Sequence, residues 1–165
     1  MTEIEKRMHR CCFTGHRPEK LTRGETYIKR ALERQIKTAI DDGLYVFITG
    51  MARGVDLWAA QIVLKLRRNN SSIRLICACP FEGFENGWSS VWRDQYRKVL
   101  QEADLVRYIC EGYNRYCFQK RNEWMIDHAA RVIAVFNGES GGTKNTIIYA
   151  KNKNVEIVNI FDDIF

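Results

Sequence analysis

The sequence has no unbroken apolar run near the roughly 18 residues that a membrane span requires, and its first ten residues carry charge throughout, with no apolar core. Neither a membrane span nor a secretory signal is expected, and the setting implied is a reducing cytoplasm. Six cysteines are present (Cys11, Cys12, Cys77, Cys79, Cys110 and Cys117), yet no two stand at C-x-x-C spacing. That lack removes the usual zinc pattern, and no metal or disulfide is expected. Four of the six fall in or beside predicted strands, where a free thiol is a small buried hydrophobe. Linkers, long repeats and low-complexity tracts are missing too. All 165 residues therefore read as one domain, of a size that buries roughly 70% of its unfolded surface without staples.

What is present is 45% hydrophobic and 28% charged residues with a net charge of +6, whose sign favours an anionic partner. Short β-rich runs alternate with longer amphipathic stretches, the pattern of an α/β fold in which a mostly parallel sheet is wrapped by helices. Strands are predicted at 10–14, 45–49, 73–79, 105–109, 131–136 and 155–160. Between the first two, Ile28, Leu32, Ile36, Ala39 and Ile40 recur at helical spacing and Gly43 follows as a stop. Further helices are predicted over 55–68, over a stretch whose one face carries Trp88, Trp92, Tyr96, Val99, Leu100 and Ala103, over 118–130, and from Gly142 onward.

In such a sheet the ligand site lies beyond the carboxyl ends of the strands, where strand order reverses. The unusual loops do follow strands: TGHRPEKL the first, TGMARGVD the second, CEGYNRYCFQKRN the fourth and NGESGGT the fifth. Loops returning from helix to strand, such as DDGLY and KNKN, are plain turns.

Thr49, Gly50, Arg53 and Gly54 form a loop that opens onto a helix. The first N–H groups of a helix lack partners and its dipole favours negative charge, so an anion is the expected occupant. Asp56 is placed to bind a ribose hydroxyl, or simply to stabilise the first helical turn. Thr14, Gly15, His16 and Arg17 repeat the arrangement after the first strand, with Arg17 where Arg53 stands in the second loop. Two such loops side by side suit several phosphates, or one phosphate and a sugar. His16 is a candidate acid or base, or a plain hydrogen-bonding group. Arg121 and Asn122 can reach a phosphate and a sugar or base edge. Gly141, Gly142 and Thr143 open the last helix with the same anion-binding logic, or form a plain glycine-rich turn. Trp88, Tyr113 or Tyr116 is the candidate to stack a base, worth about 1–3 kcal/mol.

With these residues assembled, the chain resembles the SLOG superfamily, the Rossmann-like group that includes the DNA-processing protein DprA and the LOG phosphoribohydrolases. CCFTGHRPEKL, TGMARGVDLWAA, PFEGFENGWSSVWRDQY, QEADLV and QKRNEWMID are similar, in that order, to segments of the small YpsA/YoqJ-like SLOG proteins. The resemblance implies a single Rossmann-like three-layer α/β/α domain that binds nucleotides or their derivatives, among them NAD and ADP-ribose derivatives. It carries over Thr14, Gly15 and Arg17, then Gly50, Arg53, Gly54 and Asp56, and finally Arg121, Asn122, Gly142 and Thr143. The LOG hydrolases resemble one another through PGGxGTxxE, whose glutamate helps to cleave base from ribose. Here the segment reads ESGGTKNTIIYA, with no proline and no carboxylate in the turn after Thr143.

Three functions compete. The first is a sensor or sequestering protein for a nucleotide-derived signal, as resemblance to SLOG domains of bacterial immune systems suggests; it needs no cofactor beyond its ligand. The second is a nucleotide or NAD-like N-glycosidic hydrolase, with Glu139, Asp56 or Glu123 replacing the missing carboxylate. The third, by analogy with DprA, is single-stranded DNA binding; it ranks last because the basic residues form no single stripe. A homo-oligomer, dimeric or higher, is expected, with exposed tryptophan and tyrosine at its interface.

Overall fold

A computed structural model describes residues 1–161. Six strands, β1 (Arg10–Gly15), β2 (Val46–Thr49), β3 (Arg74–Cys79), β4 (Leu105–Tyr108), β5 (Arg131–Val135) and β6 (Glu156–Asn159), form one parallel sheet in the order β4-β3-β2-β1-β5-β6. Helices α1 (Glu3–Arg7), α2 (Glu25–Asp41), α3 (Val55–Arg67), α4 (Ser90–Glu102), α5 (Cys117–Asp127) and α6 (Gly142–Asn152), with a short 3-10 turn at Pro18–Lys20, are the helical segments among the described residues.

Side chains alternate across each strand, so neighbouring residues supply different cores. Cys11, Phe13, Phe47, Leu75, Cys77 and Val135 join α2, α3 and α4 on one face. Cys12, Ile48, Ile76, Ala78 and Val132 join α5 and α6 on the other. This is the expected three-layer α/β/α arrangement of a single Rossmann-like domain, and burial on both faces is why the inner strands β1, β2, β3 and β5 read as near-continuous apolar runs. The six cysteines are free thiols, and all but Cys110 are buried. Among the described residues no helix is long and apolar enough to cross a membrane.

Helix α3 lies between the sheet and its two neighbours, which explains why it is buried on nearly every side, from Val55 to Leu64. Helix α2 presents Ile28, Ala31, Leu32, Ile36 and Ala39 inward. It ends where Gly43, at φ 91°, lets the Leu44 N–H return to the Ala39 carbonyl.

Two helix boundaries and one whole helix differ from expectation. Trp88 lies before its helix: its N–H donates to the Glu85 carbonyl in a turn, and Ser89 is extended at the N-cap of α4. Helix α5 stops at Asp127, where the C-cap N–H of His128 closes the last turn, and Ala130 already bonds to the start of β1. Helix α1 was not expected, because it buries no residue; a reciprocal Thr2–Glu5 capping box defines it.

Candidate functional site

Strands β2, β3 and β4 extend from β1 in one direction and β5 and β6 in the other, so order reverses between β1 and β5. Beyond the carboxyl ends at that point lies a cavity of about 690 Å³, within the 300–1,000 Å³ typical of small-molecule sites. It is built from the end of β1, the loops after β1, β2 and β3, the first turns of α3, α4 and α6, and α5 from Phe118 to Met125.

The loop after β1 brings Thr14, Gly15, His16 and Arg17 to the wall, as expected. Gly15 is required by packing: a Cβ there would lie 2.6 Å from the Val55 side chain. His16 is 4% exposed, tilted against Phe136 at 5.5 Å, and its Nε2 has no hydrogen-bond partner. Burial, followed by the charge of Lys20, holds its pKa below the usual histidine value, against the pull of Glu139 and Asn137.

The TGMARGVD loop divides between lining and scaffold. Arg53 and Asp56 line the cavity, whereas Thr49, Gly50 and Gly54 do not. Thr49 is fully buried; its hydroxyl donates to the Asp56 carbonyl at 2.9 Å and accepts the Met51 N–H at 3.3 Å. Met51 is held at φ 63°, a left-handed conformation that the clamp sustains. Gly50 stands where a Cβ would be 2.8 Å from Asp56 Oδ2 and 3.1 Å from the Arg121 guanidinium carbon, and its carbonyl accepts from Arg121 Nη1. Gly54, at φ 88°, leaves room for Pro18. What this loop holds first is therefore its own Asp56 and Arg121. The first turn of α3 already has an anion in the Asp56 carboxylate, turned back onto the Ala52 N–H at 3.2 Å.

Arg121 is 6% exposed, and its Nε donates to Asn122 Oδ1 at 2.8 Å. The pair lines the cavity. Burial raises the Asp56 carboxyl to about 6 despite Arg121 and the Ala52 amide, and lowers Arg121 despite Asp56. For both groups, loss of water outweighs their mutual attraction.

Gly141, Gly142 and Thr143 reach the cavity at the start of α6. Gly141, the N-cap, has no side chain to cap the first turn and sits at φ 139°. A Cβ on it would be 3.7 Å from Lys20 Nζ, so the ammonium overhangs this helix end.

The opposite wall is aromatic: Phe84, Trp88, Trp92 and Phe118. Trp88 packs edge-on to Phe84 at 4.9 Å and to Tyr96 at 5.4 Å. Tyr113 does not line the cavity; it is 69% exposed and packs edge-on to Phe81 at 5.8 Å. Tyr116 is 55% exposed, under the Arg115 guanidinium. Glu123 and Glu139 are also outside the lining. The first acts on Tyr149 of α6 across the α5–α6 face, and the second is on the exposed loop after β5. Asp56 is thus the one carboxylate among the described lining residues, set against Arg17, Lys20, Arg53 and Arg121. Arg53 is partly neutralised by Glu19 at 2.9 Å.

Lys20, Phe84, Gly87, Ser89, Trp92, Phe118 and Met125 are lining residues that sequence reasoning did not assign to the site. The signal was available: the loop after β3 obeys the same strand-end rule as the other four, and Lys20 lies within TGHRPEKL.

Comparison with known proteins agrees with this architecture. A UPF0398 protein of Halalkalibacterium halodurans is 31% identical over 133 residues, covering 79% of this chain and 70% of its own. One from Bacillus thuringiensis is 32% identical over 157 residues, covering 88% of this chain and 84% of its own. The fold resembles DprA of Streptococcus pneumoniae, with a TM-score of 0.64 at 16% identity, covering 91% of this chain; the chain spans about half (49%) of that protein. It also resembles DprA of Helicobacter pylori, a structure described in terms of single-stranded DNA binding, with a TM-score of 0.63 at 13% identity over 98% of this chain and 73% of the other. The model described as the YspA SLOG family matches residues 11–161. A reversed-order parallel sheet, glycine loops at its switch point and this match over nearly the whole length together make the chain a member of the YpsA family of SLOG proteins.

Proposed function

We propose that this protein binds a compact nucleotide-derived ligand, of the ADP-ribose, NAD-derived or cyclic nucleotide kind, and acts by sensing or sequestering it. One observation carries the reading: a single cavity of about 690 Å³ joins a cationic end (Arg17, Lys20 and Arg121) to an aromatic wall (Phe84, Trp88 and Trp92). Phosphate suits the first and a stacked base the second. Hydrolysis of an N-glycosidic bond is the weaker reading. Such a reaction needs a carboxylate placed against an oxocarbenium-like transition state, and the one carboxylate of the lining, Asp56, is turned back onto the Ala52 N–H. A DprA-like role on single-stranded DNA is weaker again, since the cationic groups converge inside a cavity rather than along a groove.

The test is calorimetric titration with AMP, NAD, ADP-ribose and cyclic ADP-ribose, with mass spectrometry of the ligand afterwards. Saturable binding of at least one, recovered intact, is the expected result. Release of free base would make the protein a hydrolase, and silence toward the whole panel would sink the binding reading. Salt-sensitive affinity for an oligonucleotide in place of these ligands would promote the DNA reading. Homo-oligomer formation belongs to the same proposal, and light scattering on the purified chain decides it.

A further inference from the structure

His16 differs from the other two histidines. His9 and His128 each place Nδ1 on a backbone carbonyl, at 3.0 Å and 2.7 Å. His16 is more deeply buried, lines the cavity, and leaves Nε2 without a partner. A buried polar atom with no partner costs free energy unless something else satisfies it. The cavity around it gathers donors from separate elements: Lys20 Nζ over the N-cap of α6, Asn122 from α5, and Thr143 with the uncapped first-turn amides of α6. Every one of these suits an oxyanion, and none supplies His16 with an acceptor from the protein.

Resting on the nucleotide-binding reading above, we infer that the anionic end of the ligand seats against His16 Nε2, Lys20 and the start of α6, and enters together with one proton taken up by the His16 ring. The ligand chemistry required is a phosphate oxyanion. In the free protein, burial and Lys20 keep the ring neutral at pH 7, and Glu139 and Asn137 on the loop after β5 do not offset them. Arg17, Arg121 and Asp56 line the same cavity from the loop after β1, from α5 and from α3. A phosphate against Nε2 supplies the missing acceptor and an opposite charge, and both favour the protonated ring. Protonation gives the phosphate a charge-assisted hydrogen bond that a neutral ring would give only in one tautomer.

The experiment is an NMR pH titration of the three histidine rings, free and saturated with ADP-ribose, whose diphosphate does not titrate between pH 5 and 9. A His16→Gln variant assigns the resonance; His9→Gln and His128→Gln assign it by elimination should that variant misfold. The expected result is a His16 midpoint below about 6.5 in the free protein, raised by about one pH unit or more in the complex. Affinity then falls by up to about tenfold per pH unit between the two midpoints. Binding with an unmoved His16 midpoint overturns this inference and leaves the binding reading standing. Failure of the wild-type protein to bind ADP-ribose overturns this inference, and failure to bind AMP, NAD and cyclic ADP-ribose as well overturns both.

Discussion

At the scale of single residues, Asp56 carries the sharpest consequence. Its carboxyl titrates at about 6 in the fold against 3.8 for an ordinary aspartate. Between those values the folded chain holds more protons than the unfolded one, so this group makes stability fall as pH rises from 4 to 6. The displacement corresponds to about 3 kcal/mol. Urea denaturation of the wild type and Asp56→Asn across that window checks it: the stability of the wild type relative to the variant is expected to drop as pH rises. A parallel pair of profiles would show that Asp56 titrates normally. The same residue shows what sequence alone could and could not deliver. That Asp56 stands beyond the carboxyl end of β2, where it lines the cavity, was readable from its place in TGMARGVD. That its first partners are Ala52 N–H and a nearby buried Arg121, 65 positions away in sequence, was not, because only tertiary packing brings α5 beneath that loop.

At the scale of elements, the six strands were legible to within one residue at either end: burial on both faces leaves β1, β2, β3 and β5 as apolar runs bounded by turn residues, and the edge strands β4 and β6 keep short β-branched or aromatic runs. The helices were legible where one face is apolar. Helix α1 was not, since Glu3–Arg7 buries nothing. The spacing of Trp88, Trp92 and Tyr96 fits one helical face, but helical spacing does not reveal that Ser89 is extended and ends the pattern. Trp88 thereby leaves α4 for the loop after β3, which becomes the aromatic wall. Tyr113 has the same chemistry but packs on the outside, against Phe81. Trp88→Ala is therefore expected to weaken nucleotide binding by about 1–3 kcal/mol, roughly 5- to 150-fold, and Tyr113→Ala to leave it unchanged. Calorimetry on both variants with the tightest ligand of the panel checks this, and equal losses would move the base out of the cavity.

At the scale of the whole molecule, the ligand is expected to act on the fold as a unit. The cavity draws its walls from residues 13 to 143, spanning both cores, and a ligand that binds only the folded chain stabilises it by mass action. At a concentration one hundred times Kd this amounts to about 2.7 kcal/mol, or a rise in Tm of about 5–10 °C for a domain of this size. Thermal unfolding with and without the ligand reads it directly. A ligand that binds by calorimetry yet leaves Tm unmoved would have to bind the unfolded chain as well.

The central strand β1 has β5 for a neighbour, pairing Cys12 with Val132 and Gly15 with Val135. Contacts that close so long a stretch of chain are slow to form and come after local ones. During synthesis β1, β2, β3 and β4 can associate while β5 and the start of α6 are still unmade, leaving one flank of β1 unpaired and the switch point open. Competence to hold a ligand would then arise in a single late step, when residues 131–143 dock. The closed cavity would serve as a clock for completed folding, since a chain that lacks residues 131–143 has no Gly141, Gly142 and Thr143 to form its last wall.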